Sequence, residues 1–360
     1  MPDRILTPLL SVTLDFEGCA RDYERGLAPD RYPYGLETLP PGWRLAPPRL
    51  RLANRATDVV RRAVARVTGA DLVAAWQRWP DIRRADVVYS HSESDYLGAA
   101  CLLRLTRRHR PLLVGHTIWL FGGWSRLPRW KRGFLRWAMQ RVDLFVYNAE
   151  PNLRLGQQIV PEGSHHYVPF GISRLFTTAV ARAPDEATPL LLSVGGDRAR
   201  DWATLAEALR EVPEHVRVRL ATDQVPLGTE RAEVRPATSL AELFDLYRRA
   251  SCMVVALRPN AHASGITAIL EGVAAGVPLV ATDTGGLREY FDETEIAFVP
   301  VGDAAALAAA VRKLLEDPAE AVARAGRARA RLLADGYTND AYWQRVLAVV
   351  IAADDVSRRR

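Results

Sequence analysis

One segment of the sequence places a glycine and two hydroxyl side chains directly before a predicted helix. Ser264, Gly265, Ile266 and Thr267 follow the apolar run Cys252–Leu257 and precede apolar residues with helical spacing. The start of a helix exposes unpaired N–H groups and the positive end of the helix dipole, so it favours phosphate. A glycine lets phosphate approach the backbone, and the hydroxyls can cap the helix or donate to phosphate oxygens. The segment therefore predicts either a phosphate site or a plain helix cap.

A second segment joins glycines to arginines. It runs from Gly195 to Trp202, so that Gly195 and Gly196 end a predicted strand while Arg198 and Arg200 precede a predicted helix. Guanidinium groups bind phosphate oxygens through paired hydrogen bonds. We therefore expect Arg200 and Arg198 to neutralise a phosphate, unless both are solvated surface charges.

Ionisable side chains also follow predicted strands in the N-terminal half. His116 ends one apolar run, and His91 follows another with Glu93 and Asp95 beside it. In open α/β sheets, ligands bind beyond the carboxyl ends of the strands. A neutral imidazole donates one hydrogen bond and accepts another, so His116 is either a ligand-binding or a structural histidine. The cluster around His91 either holds a polar group or caps the next helix, and its position favours the cap.

These side chains are positioned by a regular alternation of elements. Short apolar runs, typical of buried parallel strands, alternate with amphipathic helices in both halves of the chain. In the C-terminal half the predicted strands are Pro189–Val194, Val216–Leu220, Cys252–Leu257 and Val277–Thr282, and predicted helices begin at Trp202, Leu240, Ile266, Ala304 and Ala319. In the N-terminal half the predicted strands are Asp86–Ser90, Pro111–Gly115 and Leu144–Asn148, with helices at Tyr96–Arg107 and Arg129–Arg141. The alternation predicts two doubly wound parallel sheets, and 360 residues suffice for two domains of about 100–200 residues each.

The longest motif, Ser264–Gly286, resembles the corresponding part of the family-4 retaining glycosyltransferases. Further similar segments are Ser193–Trp202 and Val168–Ser173, and weaker ones are Tyr34–Leu39, Asp86–Asp95 and Val114–Thr117. The resemblance implies the GT-B fold, in which two Rossmann-like, doubly wound α/β domains face a cleft. It implies an acceptor-side domain at residues 1–174, a nucleotide-sugar-binding domain at 175–337, and a C-terminal helix at 338–360 that crosses back to the first domain.

For such a protein the resemblance implies transfer of a sugar from a nucleotide-diphosphate sugar to a hydroxyl acceptor with retention of configuration. It implies no metal and no cofactor beyond the nucleotide sugar as co-substrate. The implied donor-binding residues are Gly196, Arg198, Arg200, Ser264, Gly265, Ile266, Thr267 and Glu271. Among them Glu271 would accept the ribose hydroxyls. Arg200, which would stabilise the departing diphosphate, and His116, which would reach the donor, are the implied catalytic residues.

The sequence departs from the family pattern at two places. Relatives usually carry two glutamates eight positions apart, but here only Glu271 is present and Ala263 occupies the first position. Because the first glutamate lies near the donor sugar in the family, a sugar-nucleotide 2-epimerase of the same fold and a non-catalytic nucleotide-sugar-binding homologue remain alternatives. Where relatives have a glycine-rich turn on the acceptor side, this chain has Asp15 and Glu17, which we place there with His91.

The charge and cysteine content of the chain indicate which classes of binding partner to expect. The formal net charge is +6, and arginine supplies nearly all of the basic residues, which favours anionic partners such as a nucleotide diphosphate or an anionic membrane surface. The basic residues are dispersed and no recognition motif is present, so no nucleic-acid partner is expected. Three widely spaced cysteines form no CxxC pair, which argues against a zinc knuckle or a disulfide framework and favours a cytoplasmic location.

The segment Trp124–Arg141 combines aromatic and basic side chains. Leu127, Trp130, Phe134 and Trp137 fall on one helical stripe, while arginine and lysine occupy the other faces. An apolar stripe of this kind usually packs on the domain's own core. The alternative is peripheral contact with an anionic membrane, on the inner face of which a lipid-linked acceptor would lie.

Overall fold

The computed structural model describes residues 4–9, 16–48, 55–106, 111–178, 182–185, 187–224 and 226–358. The chain divides into two units, each built on a six-stranded sheet whose paired strands are all parallel. Unit 1 comprises Met1–Arg21, Gly35–Pro169 and Tyr342–Arg360, and unit 2 comprises Asp22–Tyr34 and Phe170–Ala341. The predicted fold class, two parallel α/β domains, is confirmed.

Unit 1 contains the sheet with strand order β2-β1-β3-β4-β5-β6. Its strands are β1 (Arg4–Leu9), β2 (Trp43–Leu45), β3 (Val87–Ser90), β4 (Leu112–His116), β5 (Leu144–Tyr147) and β6 (His165–Tyr167). The helices are α1 (Phe16–Glu24), whose last three residues belong to unit 2, α2 (Arg55–Thr68), α3 (Leu72–Gln77), α4 (Trp79–Ile82), α5 (Glu93–Arg104), α6 (Arg129–Met139) and α7 (Glu150–Ile159). Strands β3 and β5 are buried along their whole length, as their continuous apolar runs predict.

Unit 2 contains the sheet with strand order β12-β11-β10-β7-β8-β9. Its strands are β7 (Leu190–Val194), β8 (Arg217–Ala221), β9 (Glu233–Val234), β10 (Cys252–Val255), β11 (Leu279–Thr282) and β12 (Ala297–Val299). The helices are α8 (Arg174–Thr178), α9 (Trp202–Leu209), α10 (Leu240–Arg249), α11 (Ile266–Ala274), α12 (Ala304–Glu316) and α13 (Pro318–Ala334). The last helix, α14 (Asn339–Arg358), begins in unit 2 and belongs to unit 1 from Tyr342 onward. The strand order reverses between β7 and β10, which is where doubly wound sheets bind ligands.

Side-chain caps fix where several helices of unit 2 begin. Asp201, Ser239, Asp303 and Asp317 each precede a helix, and each accepts the N–H of the residue three positions later. Such a cap satisfies one of the backbone donors that a helix start leaves unpaired and stabilises the helix by about 1 kcal/mol. The caps explain why the predicted and observed starts of these helices agree within one residue.

Residues 22–34 belong to unit 2, although the boundary expected from the sequence puts them in the first domain. Asp30 accepts hydrogen bonds from Ser173 Oγ and from Asn339 Nδ2, both at 2.7 Å. The chain therefore enters unit 2 briefly before it returns to unit 1. Within the described residues, no helix is both long enough and apolar enough to cross a bilayer.

Helix α5 packs closely in unit 1 because a glycine faces the neighbouring backbone. A Cβ atom added at Gly98 would collide with the carbonyl oxygen of Asp71, which precedes α3. Replacing Gly98 by alanine should therefore lower the free energy of unfolding by about 1–3 kcal/mol, since α5 must move away from that carbonyl. Urea unfolding measures the change.

The matched change is Gly133→Ala in α6, where an added Cβ meets no atom within 4 Å. There the higher helix propensity of alanine should raise the free energy of unfolding by about 0.5–1 kcal/mol. Equal losses of stability in the two variants would contradict the close approach at Gly98.

Candidate functional site

The guanidinium of Arg200 lies beyond the carboxyl ends of β7 and β10, where the strand order of unit 2 reverses. A Cβ added at Gly195 would be 2.6 Å from Arg200 Nη2, and one added at Gly265 would be 3.4 Å from Nη1. Arg200 Nη2 donates to the carbonyl oxygen of Val194. The two glycines thus leave room for a guanidinium that joins both segments singled out in the sequence.

This guanidinium is buried and incompletely paired. Arg200 is only 3% exposed, and its Nε and Nη1 atoms make no hydrogen bond to any residue that the structure describes. Burial lowers the pKa of Arg200 to about 10, although Asp197 and Tyr247 act in the opposite direction. Arg200 is therefore still cationic at neutral pH, and a buried cation with unpaired donors is costly unless a ligand supplies the anion.

The start of α11 leaves further donors unpaired. Gly265 precedes the helix with a φ of 74°, a left-handed conformation that glycine adopts readily, and no side chain of the described ranges caps the helix. The hydroxyl of Ser264 is buried and makes no hydrogen bond within those ranges, whereas Thr267 is exposed and Ile266 is buried. The capping role considered for Ser264 and Thr267 is therefore wrong. The Ser264 hydroxyl is instead an unpaired donor beside a helix N-terminus.

Glu271 lies further along α11 and is held by a residue that the sequence did not single out. Tyr247 of α10 is fully buried, and its Oη donates to Glu271 Oε2 at 2.7 Å. Burial raises the pKa of Glu271 to about 7, and the hydrogen bond from Tyr247 partly opposes this. A half-buried carboxyl group in this state can accept hydroxyl hydrogen bonds near neutral pH. In sequence, Tyr247 reads only as an apolar position of a helix.

Gly196 lies close to the side chain of Asp223. A Cβ at this position would be 2.7 Å from Asp223 Oδ1, so a larger residue would require the Asp223 carboxylate to move. Gln224 Nε2 donates to the Gly196 carbonyl oxygen at 2.6 Å, and Trp202 Nε1 donates to Gln224 Oε1 at 2.5 Å. Arg198 is exposed on the same loop. The structure therefore brings Arg200, and not Arg198, against Gly265.

In unit 1, His116 and His91 form a contact that the sequence did not predict. His116 is fully buried at the end of β4, and the two Nδ1 atoms are 2.8 Å apart. The hydroxyl of Tyr89 lies 3.3 Å from His116 Nδ1 and 2.5 Å from the hydroxyl of Tyr342. Burial lowers the pKa of His116 to about 4 and, with the charge of His116, that of His91 well below its usual value. Both rings are therefore neutral at pH 7, and one Nδ1 donates to the other.

The acidic residues beside His91 stabilise neighbouring segments. Glu93 Oε1 accepts three successive backbone N–H groups, those of residues 118–120, at 2.6–3.1 Å. Asp95 forms a buried ion pair with Arg78 at 2.9 Å. Among the described residues no side chain caps α5, so the capping role favoured for this cluster is wrong. Glu93 instead fixes the loop that follows His116.

Of the two carboxylates expected on the acceptor side, the structure describes only Glu17. Asp15 lies outside the described residues. Glu17 is not in a turn, as expected, but in the first turn of α1, where it is exposed. An acidic side chain at a helix start is favoured by the helix dipole, so its position has a structural explanation.

Helix α6 packs on the core through a different face from the predicted stripe. Its buried residues are Leu135, Ala138 and Met139. Trp130 is 58% exposed and Trp137 is 37% exposed. The expectation that the whole aromatic stripe packs on the core is therefore wrong, because a second set of apolar residues with helical spacing takes that place.

Known proteins resemble part of the chain in sequence and nearly the whole chain in structure. Residues 175–317 match the family described as glycosyl transferases group 1. Glycogen synthase from Mycobacterium tuberculosis is 44% identical over 107 residues, which are 29% of this chain and 24% of that protein. The chain thus aligns with about a quarter of the length of this relative.

Among solved structures, sucrose-phosphate synthase from Thermosynechococcus elongatus has a TM-score of 0.71 at 14% identity and covers 98% of this chain and 100% of its own. HepE from Anabaena, solved in complex with UDP-glucose, has a TM-score of 0.67 at 12% identity and covers 97% and 99%. The two parallel sheets and these similarities identify the fold as GT-B. The resemblance to glycosyltransferases is confirmed for residues 175–317, at the level of glycosyl transferases group 1.

Proposed function

We propose that the chain is a retaining glycosyltransferase that moves a sugar from a nucleotide-diphosphate sugar to a hydroxyl acceptor. The observation that carries the proposal is the buried Arg200 guanidinium, which has two unpaired donor atoms beside Gly265 at the start of α11. A diphosphate would supply the missing negative charge and the missing acceptors. The helix dipole of α11 and the Ser264 hydroxyl would add to the same site.

The ribose and the base of the nucleotide would bind to residues next to the diphosphate site. Glu271, held by Tyr247, would accept the ribose hydroxyls, as the family resemblance implies. The base would lie near the loops that follow β7 and β8, which Trp202 and Gln224 connect by a hydrogen bond. The structure of the similar protein HepE contains UDP-glucose, which supports a nucleotide sugar as the class of ligand.

The reaction follows from where negative charge develops. As the bond between the sugar and the diphosphate breaks, charge accumulates on the leaving phosphate, and Arg200 together with the start of α11 would stabilise it without rearrangement. We propose that these groups suffice without a metal ion. The acceptor oxygen would bond to the anomeric carbon on the face from which the diphosphate leaves, so that the configuration of the sugar is retained. The leaving phosphate would take the proton of the acceptor hydroxyl. In unit 1, His116 Nε2 makes no hydrogen bond among the described residues, so we propose it as an atom that a substrate would engage.

The acceptor is the less constrained substrate. A saccharide, a lipid-linked acceptor and a natural product are all compatible with a hydroxyl nucleophile. The exposure of Trp130 and Trp137 on a basic helix supports a cytoplasmic protein in peripheral contact with an anionic membrane surface.

Thermal unfolding in the presence of UDP, GDP, ADP and dTDP tests the donor site. One of these should stabilise the wild type by about 2.7 kcal/mol at 100 times its dissociation constant. Arg200→Ala and Glu271→Ala should abolish that stabilisation. The matched controls are Arg210→Ala and Glu207→Ala on the exposed side of α9, which should keep it. No stabilisation by any of the four nucleotides would rule out the proposed donor.

A second assay separates transfer from the two alternatives. With the nucleotide sugar that binds, a glycosyltransferase releases the nucleoside diphosphate only when an acceptor is present. A 2-epimerase converts the nucleotide sugar alone, and a non-catalytic homologue binds it without turnover. Ala263, at 5% exposure in place of the usual glutamate, is the residue that keeps these alternatives open.

A further inference from the structure

Three arginines of α6 line an open pocket on the surface of unit 1. The pocket has a volume of about 270 Å³, and its lining residues are Trp124, Arg129, Arg132, Gly133 and Arg136. Trp124 is buried and forms an apolar wall, whereas Arg129 and Arg136 are exposed. The pocket therefore offers guanidinium groups around a space of roughly the size that a small anion with its waters would fill.

The three guanidinium groups have no counter-charge in the part of the chain that the structure describes. None of them forms an ion pair or a hydrogen bond there. Arg141, just beyond the same helix, behaves differently, because it pairs with Asp143 at 2.7 Å. The positive charge of the pocket is thus uncompensated by the residues that the structure describes.

Three local features of α6 each act against the stability of the helix. Positions 129, 132 and 136 are three, four and seven residues apart, so like charges share one face and repel each other. Arg129 and Arg132 lie in the first turns, where the helix dipole disfavours cations. Gly133 weakens the helix interior, and a Cβ there would meet no atom within 4 Å. All three features meet at the pocket, and such local conflicts are typical of functional sites.

We propose that this pocket binds a phosphate group, held by the three guanidinium groups beside Trp124. A dianion would remove the repulsion between the arginines, and the missing side chain of Gly133 would leave the space for it. The phosphate would belong either to a free phosphoryl compound or to the headgroup of an anionic lipid. The inference is independent of the proposed donor site, which lies in unit 2.

The test follows the NMR signal of the Trp124 indole, which lines the pocket. Inorganic phosphate is titrated into protein with ¹⁵N-labelled tryptophan indoles, and the Trp124 signal is assigned through Trp124→Phe. We expect a saturable shift of this signal in the wild type. Arg132→Gln should weaken the binding about tenfold or more, since it removes charge-assisted hydrogen bonds. Arg84→Gln, an exposed arginine elsewhere in unit 1, should leave it unchanged.

A variant that leaves the net charge unchanged can fill the pocket with an apolar side chain. Gly133→Leu should abolish the shift without altering the net charge, because its side chain projects into the pocket. The matched control is Gly326→Leu in α13, where an added Cβ also meets nothing within 4 Å. An unchanged phosphate titration in Gly133→Leu would overturn the proposal, as would the absence of any saturable shift in the wild type.

Vesicles distinguish the two sources of phosphate. Sedimentation is measured with vesicles of phosphatidylglycerol and of phosphatidylcholine. A lipid headgroup predicts binding to phosphatidylglycerol alone, weakened in Gly133→Leu but not in Gly326→Leu. A free phosphoryl compound predicts the local shift with inorganic phosphate and vesicle binding that Gly133→Leu leaves unchanged.

Discussion

Replacing Arg200 by methionine is expected to weaken nucleotide binding and to stabilise the unliganded protein. Affinity for the nucleoside diphosphate should fall at least about a hundredfold, because two charge-assisted hydrogen bonds each contribute about 1.5–3 kcal/mol. The unliganded variant should be more stable than the wild type by about 1–2 kcal/mol. An apolar side chain of similar length removes a buried cation, and this gain exceeds the loss of the hydrogen bond to Val194.

Urea unfolding with and without the nucleotide measures both effects in one experiment. Arg210→Met is the control, since Arg210 is exposed at the end of α9 and should change neither quantity. A variant that binds the nucleotide normally would show that the phosphate lies elsewhere. A variant that is also destabilised without ligand would show that Arg200 is a structural cation.

The affinity for a nucleotide-diphosphate sugar should rise about tenfold between about pH 6 and pH 8. The pKa of Glu271 is about 7 in the unliganded protein, so the ionised carboxylate grows from about a tenth to about nine tenths of the population over this range. The ionised form accepts hydroxyl hydrogen bonds more strongly. A nucleotide sugar is the right probe, because its diphosphate carries no proton that titrates near neutrality.

Two variants separate Glu271 from other titrating groups. Glu271→Gln should make the affinity independent of pH in this range. Tyr247→Phe should move the midpoint to higher pH, because the hydrogen bond from Tyr247 favours the ionised carboxylate. In the unliganded protein the raised pKa stabilises the fold below about pH 4.5, and this contribution is lost as the pH rises through about 7. Calorimetry at several pH values would contradict the assignment if Glu271→Gln kept that slope.

The sequence predicts the scaffold of the site well because local patterns define it. Strands β7, β10 and β11 are continuous apolar runs, and α11 follows a glycine with clear helical spacing. Such features are decided by a few neighbouring residues, so a single sequence reveals them. Of the elements that sequence reasoning missed, β6 is a three-residue strand that is only partly buried. Helix α2 has apolar residues at helical spacing, although none of its residues is fully buried.

The side-chain contacts of the site could not be predicted in the same way. Tyr247 and Glu271 are 24 residues apart, and Gly196 and Asp223 are 27 apart, so each contact depends on how two helices or loops meet on the sheet. For α6 the pattern was ambiguous, because both the aromatic stripe and the set that includes Leu135 have helical spacing. Only the neighbouring elements decide which of the two faces the core.

The division of the chain between the units sets an order for folding during synthesis. Trp343 and Tyr342 of α14 belong to unit 1, where the Trp343 ring lies 4.8 Å from that of Tyr89 and is fully buried. A ribosome makes these residues only after all of unit 2. Unit 2 can therefore reach its native structure first, while the core of unit 1 still lacks the side chains of Tyr342 and Trp343. A nascent chain that stalls after residue 341 would expose that core to chaperones and proteases.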